Sequence, residues 1–182
     1  VDTITELDVL KDVTNRLSGN KIDYMLTGSF AMNYYAQPRM TRDIDIVVIL
    51  ESDDIKRVTE IFDEDYYVSD EAVEDAIKHQ TIFNLIHFRN LVKVDIIVRK
   101  NNEYRKHEFE RRQKVDIGNF EIWIVSKEDL ILSKLYWAKE SKSEMQIGDV
   151  RNLLATAVDK EYLLQWAGKL GVKELLRGCM NE

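Results

Sequence analysis

The chain has 182 residues, 45% of them hydrophobic and 32% charged, with a formal net charge of −7. That size suits one ordinary domain, or a core module with a helical appendage. The composition excludes a disordered tail, and the negative balance excludes a protein that coats nucleic acid with its whole surface. Apolar runs such as Ile44 to Leu50 are too short or too interrupted to cross a bilayer, no basic and apolar leader opens the sequence, and Cys179 is the single cysteine. These features predict a cytoplasmic protein with no internal disulfide and no membrane partner.

Leu7, Leu10, Val13, Thr14 and Leu17 recur at helical spacing, which predicts an amphipathic helix over 6–17, ended by Gly19 and Asn20. Ile22 to Leu26 reads as a short buried strand running into Gly28. Ser29 is placed to cap a helix through about Tyr35, which Gln37, Pro38 and Arg39 break. The β-branched run Ile44 to Ile49 predicts a central strand, and Ser52 or Asp53 a helix start leading to Phe62. Residues 64–80 predict a loop and a helix near Ala72 to Lys78. Two strands follow, Ile82 to Phe88 and Leu91 to Val98, with Arg89 and Asn90 as a tight turn. A charged helix over 101–112 and a strand from Phe120 to Val125 complete the sheet region. Ser126 then opens helices over 128–140, 146–157, 159–168 and 171–177. The expected class is α+β: a mixed sheet flanked by helices over 1–125, and a helical segment over 126–182 packed on it.

Asp43 and Asp45 are one residue apart on a predicted strand, so both face the side that Val47 and Ile49 share. Like charges so close resist joint ionisation, and a divalent cation removes the conflict. Asp95 repeats the pattern inside Val-Lys-Val-Asp-Ile-Ile-Val. Three acids interrupting apolar strands signal a metal site, and oxygen-only ligands suit Mg²⁺ or Mn²⁺ better than zinc. Mg²⁺ commonly shares its ligand shell with phosphate, which makes a triphosphate a natural candidate substrate. Gly28 and Ser29 lie where a strand gives way to a helix. Gly28 permits close approach of phosphate, and Ser29 with the first helix amides offers donors.

Gly28-Ser29 followed by Asp43-Ile44-Asp45, with Asp95 on a later strand, resembles the core signature of the DNA polymerase beta-type nucleotidyltransferase superfamily. The nearer likeness is to the minimal and abortive-infection toxin-type members. The resemblance implies that Gly28 and Ser29 hold nucleotide phosphates, that Asp43 and Asp45 bind metal, and that Asp95 binds metal and helps activate the acceptor hydroxyl. Thr41-Arg42-Asp43 matches the toxin-type lead into the acids; Arg42 holds the acid loop, meets phosphate, or is a surface ion-paired arginine. Residues 128–140 resemble the helix after the sheet, where Lys134 either reaches the cleft as a phosphate ligand or extends to solvent. The chain departs from that group near Asp149: Gly148 and Asn152 stand where relatives carry a lysine and a second aspartate.

The function so implied is metal-dependent transfer of a nucleoside monophosphate to an acceptor hydroxyl on a protein, an RNA or a small molecule such as an aminoglycoside, with a toxin–antitoxin setting first. An antitoxin or a second copy of the chain is the implied partner. The alternative is an inactive nucleotide- or partner-binding protein of the same fold. Residues 99–114, with seven basic and three acidic side chains, are either a solvated segment or a local polyanion dock. His87 is read as a surface or core residue, although its strand runs near the acids. The tryptophans are read as filling core space.

Overall fold

A computed structural model describes residues 4–180, so the outermost residues of the two expected segments fall outside it. The elements in chain order are α1 (Glu6–Gly19), β1 (Tyr24–Thr27), α2 (Gly28–Tyr35), β2 (Ile44–Val48), a 3₁₀ turn (Ser52–Asp54), α3 (Ile55–Phe62), β3 (Tyr66–Tyr67), α4 (Asp70–His79), β4 (Ile82–His87), β5 (Lys93–Val98), α5 (Glu103–Glu110), β6 (Gln113–Asp116), β7 (Glu121–Ile124), α6 (Lys127–Ser141), α7 (Glu144–Leu154), α8 (Lys160–Leu170) and α9 (Lys173–Met180). The fold is α+β, with a mixed sheet, flanking helices and helices only after β7.

Local signals account for most element starts. Thr5 and Asp8 form a reciprocal capping box on α1, and Ser69, Asn102, Ser126, Ser143 and Asp159 each accept from a backbone amide in the first turn of α4 to α8. Ser29 does not cap α2. The N-cap is Thr27, in extended backbone, and Ser29 lies inside the first turn with its hydroxyl turned elsewhere.

The strands lie in the order β3-β4-β5-β2-β1-β7-β6. β2 runs parallel to β5 and antiparallel to β1, and β1 runs parallel to β7. Alternation divides the sheet into two unlike faces. Ile44, Ile46, Val48, Val94, Ile96, Phe83 and Leu85 are buried on one, and Asp45, Val47, Asp95 and Ile97 lie half-buried on the other. Acids sit on the half-open face, where charge keeps access to solvent.

Two strands escape sequence patterning. β3 is two residues long, with Tyr66 buried and Tyr67 exposed. β6 is an edge strand with one half-buried apolar residue, Val115, and takes its pairing from β7. The link between β4 and β5 is longer than a two-residue turn. His87 and Val92 close it through a backbone hydrogen bond of 3.0 Å, and Leu91 occupies left-handed backbone at φ 56°. Among the described residues, no helix is long and apolar enough to cross a membrane.

Candidate active site

Gly28 ends β1 and opens α2 at φ +66°, in left-handed backbone. A Cβ placed there would lie 2.0 Å from Asp45 Oδ2. Glycine is therefore required twice, by its backbone and by the carboxylate pressed against it. The contact follows from register, since Thr27 stands opposite Asp45 across β1 and β2.

The same register extends the row outward. Asp45 stands opposite Asp95 on β5, and Asp95 opposite Asn84 on β4. Asn84 Nδ2 donates to Asp95 Oδ1. Lys93 Nζ lies 3.2 Å from Asp95 Oδ1 and 3.8 Å from Asp43 Oδ1. Asp43 precedes the strand and its side chain is exposed, whereas that of Asp95 is mostly covered. Burial pushes the Asp45 carboxyl up to about 6. The charges of Asp95 and Asp43 push the same way, and Lys134 and Lys93 oppose them.

Sequence and tertiary structure thus bring Gly28, Asp43, Asp45 and Asp95 to one patch. Among the described residues, no group of three or more His, Cys, Asp or Glu side chains is arranged tightly enough to hold a metal ion as it stands. The donor chemistry nevertheless fits a hard divalent cation: carboxylate oxygens only, with Asp45 penalised when ionised beside two like charges.

Behind Gly28 and Ser29 lies a polar chain that local sequence does not reveal. Lys134 on α6 is 4% exposed. Its ammonium donates to Asp149 Oδ2 at 2.7 Å and Gln146 Oε1 at 3.1 Å on α7, so it does not extend to solvent. Asp149 in turn accepts from Arg39 Nε and Nη2, both at 2.9 Å. Burial alone would raise the Asp149 carboxyl, but bonds from Arg39 and Lys134 outweigh it and hold the carboxyl below its usual range. Arg39 Nη2 also donates to Ser29 Oγ at 2.7 Å. Arg39 reads from sequence only as part of a helix break, because its partner lies 110 residues away. Asn84 carried a usable signal, a polar residue inside an apolar strand.

Other candidates separate clearly. Arg42 is exposed, and no ion pair or hydrogen bond of its side chain appears among the described residues. His87 belongs to the buried face, with Nδ1 2.8 Å from Asn90 Oδ1 and its ring against Tyr66. Trp166 is buried, but Trp137 is 55% exposed, which corrects the reading of the tryptophans as core. The basic segment is not a free dock. Arg105 pairs with Glu108, Arg111 with Asp129 and Lys114 with Glu121, while Arg112 lies over Phe109 and Trp123.

No protein-family model and no curated protein matches the chain. Solved structures do. An antigenic nucleotidyltransferase-like protein from Paracoccidioides brasiliensis is 18% identical, with 94% of this chain and 92% of that one covered and a TM-score of 0.58. The lincomycin-bound lincosamide antibiotic adenylyltransferase LnuA is 16% identical, with 86% and 100% covered and a TM-score of 0.56. A putative nucleotidyltransferase from Thermotoga maritima is 19% identical, with 76% and 88% covered and a TM-score of 0.54. At such identities the likeness is one of fold, which this chain shares with these three structures.

Proposed function

We propose that the chain is a metal-dependent nucleotidyltransferase that moves a nucleoside monophosphate from a nucleoside triphosphate to an acceptor hydroxyl. The observation that carries this reading is the register Thr27–Asp45–Asp95, which sets Gly28 against one acid and a second acid beside it. The left-handed turn at Gly28, the first amides of α2 and Ser29 receive the phosphates. Asp43 and Asp45, with Asp95, hold Mg²⁺ or Mn²⁺, which supplies Lewis-acid stabilisation of phosphoryl charge. Asp95 takes the proton of the acceptor hydroxyl. The acceptor oxygen bonds the α-phosphorus as the bond to pyrophosphate breaks. Lys134, held by Asp149, contributes positive charge that reaches Asp45, and the exposed Arg42, next to Asp43 in the chain, meets phosphate. We place this activity in the cytoplasm.

The acceptor is a protein, an RNA or a small molecule. A protein acceptor inside a toxin–antitoxin pair is supported by the resemblance of Thr41-Arg42-Asp43 and of residues 128–140 to the toxin-type proteins. A small-molecule acceptor is supported by the fold shared with LnuA over that protein's whole length. A second reading is an inactive binding protein of this fold. Lys93 favours it, because it lies between Asp43 and Asp95 and offsets their charge without an ion.

Calorimetric titration of each nucleoside triphosphate, with and without Mg²⁺, separates these readings. The enzyme reading expects Mg²⁺-dependent binding that weakens at least about 100-fold in an Asp43→Ala, Asp45→Ala double variant. It also expects label transfer from an α-labelled triphosphate to at least one acceptor in a screen of proteins, RNA ends and antibiotics. Binding without transfer supports the inactive protein. Absence of binding to all four triphosphates sinks the enzyme reading and leaves an inactive partner-binding protein of this fold.

A further inference from the structure

We propose that Arg39 is a positioning residue for the phosphate turn: clamped by Asp149, it fixes the Ser29 hydroxyl as a donor toward the triphosphate. The inference rests on the nucleotidyltransferase reading and adds to it a residue and a role for α6 and α7.

A serine hydroxyl has one hydrogen and two lone pairs, while a guanidinium has donors only. The 2.7 Å contact from Arg39 Nη2 to Ser29 Oγ therefore has one possible direction, and it fills a lone pair of the oxygen. Ser29 Oγ makes no other hydrogen bond among the described residues. Its hydrogen is thereby steered away from Arg39, and a donation from a cation makes the hydroxyl a stronger donor in turn.

Arg39 is held well enough to do this. Its side chain meets the Asp149 carboxylate in a two-bond fork. Its backbone is held by Asn33 of α2, whose side chain accepts from Arg39 N at 3.0 Å and donates to Arg39 O at 2.9 Å. Asp149 is 4% exposed and fastened by Lys134 from α6. α2, α6 and α7 thus converge on one hydroxyl through a single guanidinium.

The test is a double-mutant cycle read as Mg²⁺-triphosphate affinity by calorimetry, with thermal unfolding of each variant. Ser29→Ala and Arg39→Ala should each weaken binding about 10-fold. The pair should be no weaker than Ser29→Ala alone, because Arg39 acts through that oxygen. Ser29→Thr, which keeps the hydroxyl, should bind nearly as the native chain does and remain sensitive to Arg39→Ala. Arg39→Lys keeps charge without the fork and should recover only part of the affinity; it replaces the alanine variant in the cycle if that variant does not fold. Additive losses would assign Arg39 a contact of its own and overturn the inference, as would unchanged affinity in Arg39→Ala. A native chain that binds no triphosphate overturns the functional reading, and this inference with it. Loss of coupling in a chain that does bind overturns the inference alone.

Discussion

Gly28 and Asp45 constrain each other, and each constraint can be read separately. Gly28→Ala forces a methyl group into left-handed backbone and onto the Asp45 carboxylate. The backbone part alone costs about 1 kcal/mol, and displacement of Asp45 adds to it. Urea denaturation should therefore show a loss above about 1 kcal/mol, together with loss of triphosphate binding. Full stability in the variant would mean that the turn is looser than its geometry indicates. Asp45 itself carries a pH dependence. Its carboxyl stands at about 6 when folded, against 3.8 ordinarily. The folded chain thus holds this proton more tightly than the unfolded one. The resulting stability is fully present below about pH 4 and lost as pH rises through 6. Asp45→Asn escapes that loss, so in metal-free buffer it should gain about 1–3 kcal/mol on the native chain between pH 4.5 and 7.5. Thermal unfolding at both pH values checks this, and an equal gap at both would refute it.

Among the elements, α5 and the start of β6 are the segment whose meaning changes most between sequence and structure. Seven basic side chains in a row of sixteen read as solvated or polyanion-facing. In the fold four of them, Arg105, Arg111, Arg112 and Lys114, fasten this segment to α6 and the sheet. Asp129, fully buried, accepts from Arg111 at 3.0 Å and from the hydroxyls of Ser126 and Tyr162 at 2.5 Å, and Arg111 lies 4.0 Å over the Tyr162 ring. Arg111→Ala leaves that carboxylate without its ion-pair partner. The expected destabilisation is about 2 kcal/mol, below the range for fully enclosed pairs because Arg111 sits at the rim. Retention on an immobilised polyanion should hardly change. A variant of native stability with weakened retention would restore the docking interpretation.

At the scale of the molecule, one hydrophobic cluster runs from α1 through the sheet to α9 and includes Leu130, Ile131, Leu132 and Leu135 of α6. The boundary near residue 125 marks a change of secondary structure, and we expect it to mark no independent folding unit. A chain ending at residue 125 loses those four side chains and the partners of α2. It should lack a cooperative thermal transition by circular dichroism. A sharp transition would establish residues 1–125 as a domain by themselves.

The sequence by itself determined the elements whose signals are local. Capping residues mark helix starts, the β-branched run from Ile44 to Ile49 marks the central strand, and parity puts Asp45 on the face of Val47. These survive because capping and alternation act over a few residues. Gly28, Asp45 and Asp95 were legible for the same reason, as breaks in apolar patterns. Tertiary structure alone decided which of those breaks meet. Asp45 and Asp95 are 50 positions apart and become neighbours only through the pairing of β2 with β5. Likewise β6 owes its existence to β7, and Arg39 owes its place at Ser29 to Asp149 on a helix 110 positions away. No local periodicity encodes such contacts, because they depend on how the sheet and helices close around one core.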